Sequence, residues 1–386
     1  MQNILITAKS TIASVGHESD QIWEQYKSQK SALTTCCFND QDTPTGKLSA
    51  ESEELIKSLR KENLNYRRLD KSVLLALWAS REVVQEAGWE SLEKTGVNIG
   101  SSRGATQLFE KYHQHFIEGP KKRMSPLVSP TTTLGNIASW VAYDLGIDGA
   151  TLSHSITCST ALHGVLNACA WINSDMADRF LVGGSEAPLT DFTVAQMRSL
   201  GIYSKRNSEW SCAPLEKSKN ENTMVLGEGA SIFLLEKDLG QNGLVKIIGC
   251  GYATEIIEHN ASLSAEAECI QKSMRMALED AELTEVDVVV MHAPGTAQGD
   301  DAEILAVEKV LGKSVHLIST KHQTGHTLGA SGGLSLDLAI EMLSRGEVIG
   351  FPYEVSVNQG DVLPKTALIN AVGFGGNAVS LVIQKA

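Results

Sequence analysis

One cysteine and two histidines carry the chemistry that can be read from this chain. Cys158 sits in Ser155-Ile-Thr-Cys158-Ser-Thr-Ala-Leu-His-Gly164, between an apolar, β-rich run at 150–156 and a helical pattern of Ala161, Leu162, Val165, Leu166, Cys169 and Ile172. A thiol at that junction lies at a helix N-terminus, where exposed N–H groups and the helix dipole favour an anion, so the spacing predicts a lowered thiol pKa. Taken alone, the same position also suits a small buried hydrophobe. Two histidine motifs downstream change the reading: Met291-His292-Ala-Pro-Gly-Thr296 and Lys321-His-Gln-Thr-Gly-His326. A cysteine with two separately placed histidines is a nucleophile with acid/base partners. The thiolate attacks an acyl carbonyl and later leaves as a thioester, while neutral imidazoles donate hydrogen bonds to an enolate or move a proton. The turn Gly373-Phe-Gly-Gly376 reads either as a plain tight turn or as the donor of a backbone N–H that completes an oxyanion hole with Cys158.

The elements that must position these groups occur twice. A helical pattern at 69–88 leads into the strand Gly96-Val-Asn-Ile-Gly100, and another at 265–283 leads into Val286-Asp-Val-Val-Val-Met291. The strand–Cys158–helix unit has a counterpart in the strand at 315–319, a glycine-rich turn and a helix at 326–343. Each half closes on a similar run, 227–236 and 375–384. Strands alternating with helices predict mainly parallel sheets covered by helices, and a repeat of this length is too long for a solenoid. The expectation is two duplicated α/β halves, 1–238 and 243–386, joined at the polar, glycine-containing stretch 237–243. Residues 119–130, with three prolines and Lys121-Lys-Arg123, read as an ordered loop. Residues 203–223 are polar and irregular and read as a surface cover.

Composition bounds what such a body can do. The 386 residues suffice for two domains or one large body of two halves. A net charge of 33 − 46 = −13 gives a bulk surface that attracts neither nucleic acid nor anionic membrane. Seven cysteines without ligand spacing argue against a metal site and for a reducing, cytoplasmic setting. Met1-Gln-Asn-Ile-Leu-Ile-Thr-Ala8 lacks a basic region and reads as a first buried strand, and no apolar stretch approaches a membrane span.

From the N-terminal strand to Ile383 the chain resembles the β-ketoacyl-acyl-carrier-protein synthases of the type I/II branch, Cys-His-His condensing enzymes of the thiolase superfamily. The segments that carry the resemblance are the Cys158 motif, Gly183-Gly-Ser-Glu-Ala187, Val225-Leu-Gly-Glu-Gly-Ala230, His292 with Gly299-Asp-Asp-Ala-Glu303, Ser319-Thr-Lys-His-Gln-Thr-Gly-His-Thr-Leu-Gly-Ala330 and 370–376, with Ile99-Gly-Ser and the 119–126 run. It implies a thiolase-like fold with mixed, mainly parallel five-stranded sheets in an αβαβα layering. It implies Cys158 as nucleophile, His292 and His326 as the pair that assists malonyl decarboxylation, and Lys321 as support for them. Phe374 becomes an aromatic gate and oxyanion donor, and Asp300 and Glu303 become braces of the His292 loop. Thr296 and Gly375 join the substrate-binding set, Thr296 on the phosphopantetheine arm. No cofactor is implied, because substrates arrive on the phosphopantetheine of an acyl carrier protein.

The implied reaction is decarboxylative Claisen condensation of an acyl thioester held on Cys158 with malonyl-carrier protein, in fatty-acid or specialised polyene or polyketide synthesis. The alternatives are a priming or decarboxylating subunit and a non-extending partner in a heterodimer. A thiolase would need a second cysteine within 373–377, which is absent, and type III synthases use Cys-His-Asn. Arg67, Arg68, Lys122 and Arg123 match the family's carrier-docking surface. The family dimerises through a central strand, here 150–156, as a homodimer or with a chain-length-factor-like homologue. The pattern departs at Pro294, which replaces a threonine, and at Ser335, where glutamate is common. Arg103 falls where many fatty-acid synthases place an apolar residue at the floor of the acyl pocket, and a buried unpaired arginine there would be costly.

Overall fold

The computed structural model describes residues 4–89, 92–119, 124–217, 219–256 and 263–386. The first half runs β1 (Ile4–Ala13), α1 (Ser19–Lys27), β2 (Thr34–Phe38), β3 (Gln41–Thr45), α2 (Ala50–Glu62), α3 (Lys71–Ala87), β4 (Thr95–Gly100), α4 (Thr106–Glu118), α5 (Val128–Thr132), α6 (Asn136–Leu145), β5 (Thr151–Leu152), α7 (Thr160–Asn173), β6 (Arg179–Glu186), α8 (Asp191–Ser199) and β7 (Gly229–Lys237). The second runs β8 (Val245–Thr254), α9 (Glu268–Asp280), β9 (Val288–Val290), α10 (Ala297–Leu311), β10 (His316–Ile318), α11 (Lys321–Thr324), α12 (Ser331–Arg345), β11 (Thr366–Gly373) and β12 (Asn377–Lys385).

The strand order is β10-β9-β11-β12-β8 followed by β1-β7-β6-β4-β5. Numbered within its own half, each set of strands has the order 3-2-4-5-1, so the sheet is a duplication joined where Ile4–Ile6 pair with Val245–Ile247. β4 is parallel to β5 and β6, and β9 is parallel to β10 and β11. β7 and β12 run against their neighbours. The mixed, mainly parallel character follows from the crossover helices between successive strands.

Strand alternation divides the apolar residues among three cores. Leu181 and Ile232 face α3 and α6, whereas Phe180, Val182 and Phe233 face α7 and α12. In the second half Val289 and Leu368 face α9 and α10, and Val288, Val290 and Ile369 again face α12. The layers are therefore α3/α6, the first half's five strands, α7/α12, the second half's five strands, α9/α10, and the two expected five-stranded sheets are halves of one ten-stranded sheet continuous through β1 and β8. Because α12 lies between these two halves of the sheet, it is buried on every side from Ser331 to Leu343. Gly332 permits its approach to α7, since a Cβ there would lie 2.7 Å from Leu162 Cγ. Lys9 on β1 ties the halves together, 2.7 Å from Asp337 Oδ1 and 2.8 Å from Glu341 Oε1 on α12.

Three further expectations change. The run 150–156 enters the ladder only at Thr151–Leu152. Beyond them the contacts are mixed: Ser153 Oγ donates to Ile99 O at 2.9 Å, His154 Nδ1 lies 3.0 Å from the Asn98 side-chain Oδ1, and His154 O accepts from Ser101 N–H at 3.3 Å just past β4. Part of the expected loop at 119–130 is helical, as α5. The described residues of 203–223 lack regular elements, yet they do not simply cover a surface. Tyr203, Cys212, Leu215 and Thr223 are buried, and Leu215 N–H donates to Asp300 on α10 at 3.0 Å.

Candidate active site

Cys158 occupies a single 3₁₀ turn, Thr157–Ser159, immediately before α7. Thr157 has φ +47°, a left-handed conformation that a β-branched residue adopts at a cost. Thr160 holds this elbow, its hydroxyl donating to Thr157 O at 2.7 Å and accepting from Ile156 N–H at 2.9 Å. Opposite stands Gly373, where any Cβ would lie 1.7 Å from Thr157 Oγ1 and 3.0 Å from Cys158 N. Only glycine lets the β11–β12 turn come this close to the thiol.

His326 follows β10 and α11. Its backbone is pinned by Val225 O at 2.6 Å and by Gly227 N–H at 3.0 Å, which leaves its Nε2 3.2 Å from Cys158 Sγ. His292 follows β9, and its ring stands edge-on to that of His326 with centroids 5.3 Å apart. The His292 loop is held by carboxylates. Glu303 accepts from the N–H groups of His292 and Ala293 at 2.8 and 2.7 Å, while Asp300 accepts from Gly295 N–H at 3.0 Å and pairs with Lys219. A cavity of about 230 Å³ is lined by Cys158, His292, His326, Thr296, Phe374 and Gly375. Its remaining wall is largely apolar and includes Met197, Ile202, Met224 and Leu328.

The electrostatics overturn one expectation. Burial pushes the Cys158 thiol up to about 12, with the Lys321 charge only partly opposing it, so the helix N-terminus does not leave a resident thiolate. Burial and then Lys321 push His326 down to about 3, and the same causes with His326 added hold His292 well below the usual range. Both imidazoles are therefore neutral at neutral pH. A protonated thiol faces a neutral nitrogen at hydrogen-bond distance, and attack can transfer the proton from sulfur to His326. Lys321 is buried and drawn down to about 8 by desolvation, with Glu303 the main opposing charge. Burial raises Glu303 itself to about 7.

The N-terminal domain of β-ketoacyl synthases matches residues 1–239, and the C-terminal domain of the same family matches residues 244–351. The chain belongs to the β-ketoacyl synthase family. The synthase is 26% identical over 410 residues to 3-oxoacyl-[acyl-carrier-protein] synthase 2 of Staphylococcus aureus strain COL, across 100% of this chain and 98% of that one. The namesake from Vibrio cholerae is 26% identical over 415 residues, covering 100% and 99%. Solved structures share the fold. The ishigamide ketosynthase/chain length factor has a TM-score of 0.88 at 19% identity, covering 100% of this chain and 99% of that one. A type II polyketide acyl-carrier protein in complex with its hexaketide-bound ketosynthase has a TM-score of 0.86 at 21% identity, covering 100% of both chains.

The remaining predicted residues of the synthase are not all at the cavity. Arg103 is not among the residues that line it, contrary to its expected place on the pocket floor. Its guanidinium donates to Gln196 on α8 and its backbone N–H donates to Glu186 at 3.1 Å, so a polar contact draws the side chain along α8. Arg67 and Arg68 are exposed in a one-turn helix between α2 and α3. Lys122 and Arg123 lie outside the described residues. Sequence reasoning missed Glu186 as a brace. It accepts from Ser101 Oγ and from the N–H groups of Ser102, Arg103 and Gly329, and burial pushes it up to about 7. An acid two residues past the apolar run Phe180-Leu-Val-Gly-Gly184 was the available signal. The hairpin β2–β3 was missed too, although Asn39-Asp40 between two threonine-rich runs announces its turn.

Proposed function

We propose that the protein is a β-ketoacyl-acyl-carrier-protein synthase that extends an acyl chain held on Cys158. The observation that carries this reading is Cys158 Sγ at 3.2 Å from His326 Nε2, in a cavity that His292 shares. Sulfur attacks the acyl thioester as His326 takes its proton; the pantetheine thiolate leaves and recovers that proton. The malonyl carboxylate then departs as carbon dioxide. Its bonding electrons form an enolate whose oxygen accepts hydrogen bonds from the two imidazoles. The enolate carbon attacks the thioester on Cys158, a C–C bond replaces the C–S bond, and the released thiolate is reprotonated. Thr296 and Gly375 at the cavity fit contact with the pantetheine arm, and Phe374 and Cys158 are assigned the oxyanion N–H groups.

The carrier protein is the expected partner, and Arg67, Arg68, Lys122 and Arg123 are assigned to dock it in the cytoplasm. β5 is the last strand on its side of the sheet, which fits a dimer that continues the sheet, with an identical chain or a chain-length-factor-like homologue. Incubation with acyl- and then malonyl-carrier protein tests the function. The expected results are an acyl adduct on Cys158 and a carrier-bound 3-oxoacyl product by mass spectrometry. Carbon dioxide release without the longer product would instead make it a priming subunit, and no adduct at Cys158 would remove the assignment.

A further inference from the structure

Among the described residues, the β2–β3 hairpin forms its own two-stranded sheet, apart from the ten-stranded one, and just past β3 Gly46 bridges to Gly227. Its turn residues Asn39 and Asp40 have φ of +51° and +59°, the left-handed pair of a two-residue hairpin turn. What the hairpin grips is α8. At its tip, the Asn39 backbone N–H donates to Asp191 Oδ1 at 2.9 Å, and the Asn39 amide donates to Asp191 O at 2.9 Å. Further along, Arg198 Nη2 donates to the buried Thr43 hydroxyl, and Tyr203 donates its hydroxyl proton to Pro44 O at 2.8 Å. Phe38 packs on the apolar cluster that contains Cys158 and Met197. From another element, Arg103 holds Gln196. Both ends of α8 and the turn leaving it are thus fastened by polar contacts.

The fastened segment is a wall with two faces. Met197 and Ile202 line the cavity of Cys158. Arg198, Gly201 and Tyr203 line a separate polar cleft of about 840 Å³, to which Lys30 and Lys205 also contribute. An acyl chain that outgrows the cavity along the Met197 and Ile202 wall would displace those two residues toward that cleft. The movement would break the contacts with Thr43 and Asn39, so long chains carry the cost of losing them.

We propose that the β2–β3 hairpin sets the upper acyl-length limit by holding α8, with Thr43, Asn39 and Arg198 as positioning residues and Met197 and Ile202 as the wall the chain meets. The proposal rests on the reading of the cavity as the acyl site and adds to it the element that fixes its size. The test uses the full chain with short, medium and long saturated acyl-carrier proteins, comparing wild type with Thr43→Val, Arg198→Met and Met197→Ala. Loss of one hydrogen bond should raise the long-to-short ratio of kcat/KM by about 3- to 10-fold in Thr43→Val and Arg198→Met. Met197→Ala should raise it further. Malonyl-carrier decarboxylation, which needs no acyl chain, should stay at the wild-type rate in the two hairpin-contact variants and so report an intact fold. Unchanged ratios in both, with Met197→Ala widened, would overturn the hairpin's role and leave the acyl site standing. An unchanged ratio in Met197→Ala as well would remove the acyl reading of the cavity itself. A parallel fall in decarboxylation and in activity on every chain would make the contacts merely structural and overturn the proposal.

Discussion

In the first half, the connection leaving the third strand, β5, delivers Cys158 to the start of α7; in the second, the connection leaving β10 delivers His326 toward the start of α12. The connections after the second strands are braced alike. After β4 the backbone N–H groups of Ser102 and Arg103 are gathered by Glu186, and after β9 those of His292 and Ala293 are gathered by Glu303. One topology thus positions a thiol from one side and two imidazoles from the other, each beside a buried carboxylate that fixes a loop. The environment acts on them in opposite senses, because burial penalises whichever form is charged. It raises the thiol and lowers both histidines. Duplication therefore yields a pair of neutral groups in contact, ready to exchange one proton.

The strongest way to break this division of labour is to remove each side separately. Cys158→Ala should abolish acyl transfer yet keep malonyl decarboxylation, since the enolate needs only the second half's histidines and the oxyanion donors. His292→Ala and His326→Ala should each lower decarboxylation by about 100- to 1,000-fold while some acylation of Cys158 remains. Carbon dioxide release and intact-protein mass separate the two steps. Unchanged decarboxylation in both histidine variants would sink the assignment.

A pH series sharpens the electrostatic half of the comparison. With the thiol held near 12, the thiolate fraction of Cys158 should climb by about tenfold per pH unit through the neutral range, and inactivation by iodoacetamide should climb with it. A plateau near neutrality would show a resident thiolate. Cys37 is exposed and Cys36 half-buried, so peptide mapping should find them labelled early without loss of activity, while inactivation tracks Cys158.

The error about the thiol shows what the sequence made legible. The Cys158, His292 and His326 motifs are local, and so is the periodicity behind α3, β4 and α9; these were readable because each signal lies within its own segment. The state of the thiol was not, because the groups that enclose Cys158 come from Gly373 and His326 in the other half. Arg103 illustrates the same limit. Its position in the pattern was readable, but its direction depends on Gln196, on another element. The strand expected at 150–156 shortens for a local reason that propensity does not weigh: the Ser153 hydroxyl takes the Ile99 carbonyl of β4, and the next backbone bond, from Ser101 N–H to His154 O at 3.3 Å, already lies past the end of β4.

A smaller effect is expected from the two bracing carboxylates. Both carry folded pKa values near 7, above the ordinary glutamate value of about 4.3. The folded state therefore binds these protons more tightly, and their contribution to stability is fully present below about pH 4 and lost as pH rises through 7. The buried histidines act oppositely. His322 and His326 fall to about 4 and about 3, so the stability they confer is present above about pH 6.5 and lost as pH falls through those values. Glu303→Gln should flatten the loss of melting temperature between pH 5 and pH 8 and lower decarboxylation by about tenfold through the loosened His292 loop. Glu186→Gln should flatten the same limb but spare decarboxylation. Equal kinetic losses in the two variants would show that the braces do not act half by half.

The smallest effect concerns whether the asymmetry between halves extends to the surface. Arg67 and Arg68 are exposed on the first half and are not among the residues lining the cavity, so reversing their charge should leave the chemistry alone. In a molecule of net charge −13, a local basic pair would matter chiefly by steering an acidic carrier protein, an attraction screened over about 10 Å at 0.1 M salt. Arg67→Glu with Arg68→Glu should raise KM for carrier-bound substrate by a few fold, about the effect of losing exposed charge pairs worth up to 1 kcal/mol each. The salt dependence of kcat/KM should flatten with it. Turnover of a small pantetheine thioester, which has no carrier to dock, should not change. An equal loss on both substrates would mean that the one-turn helix carrying these arginines supports the fold, and that carrier docking relies on other residues.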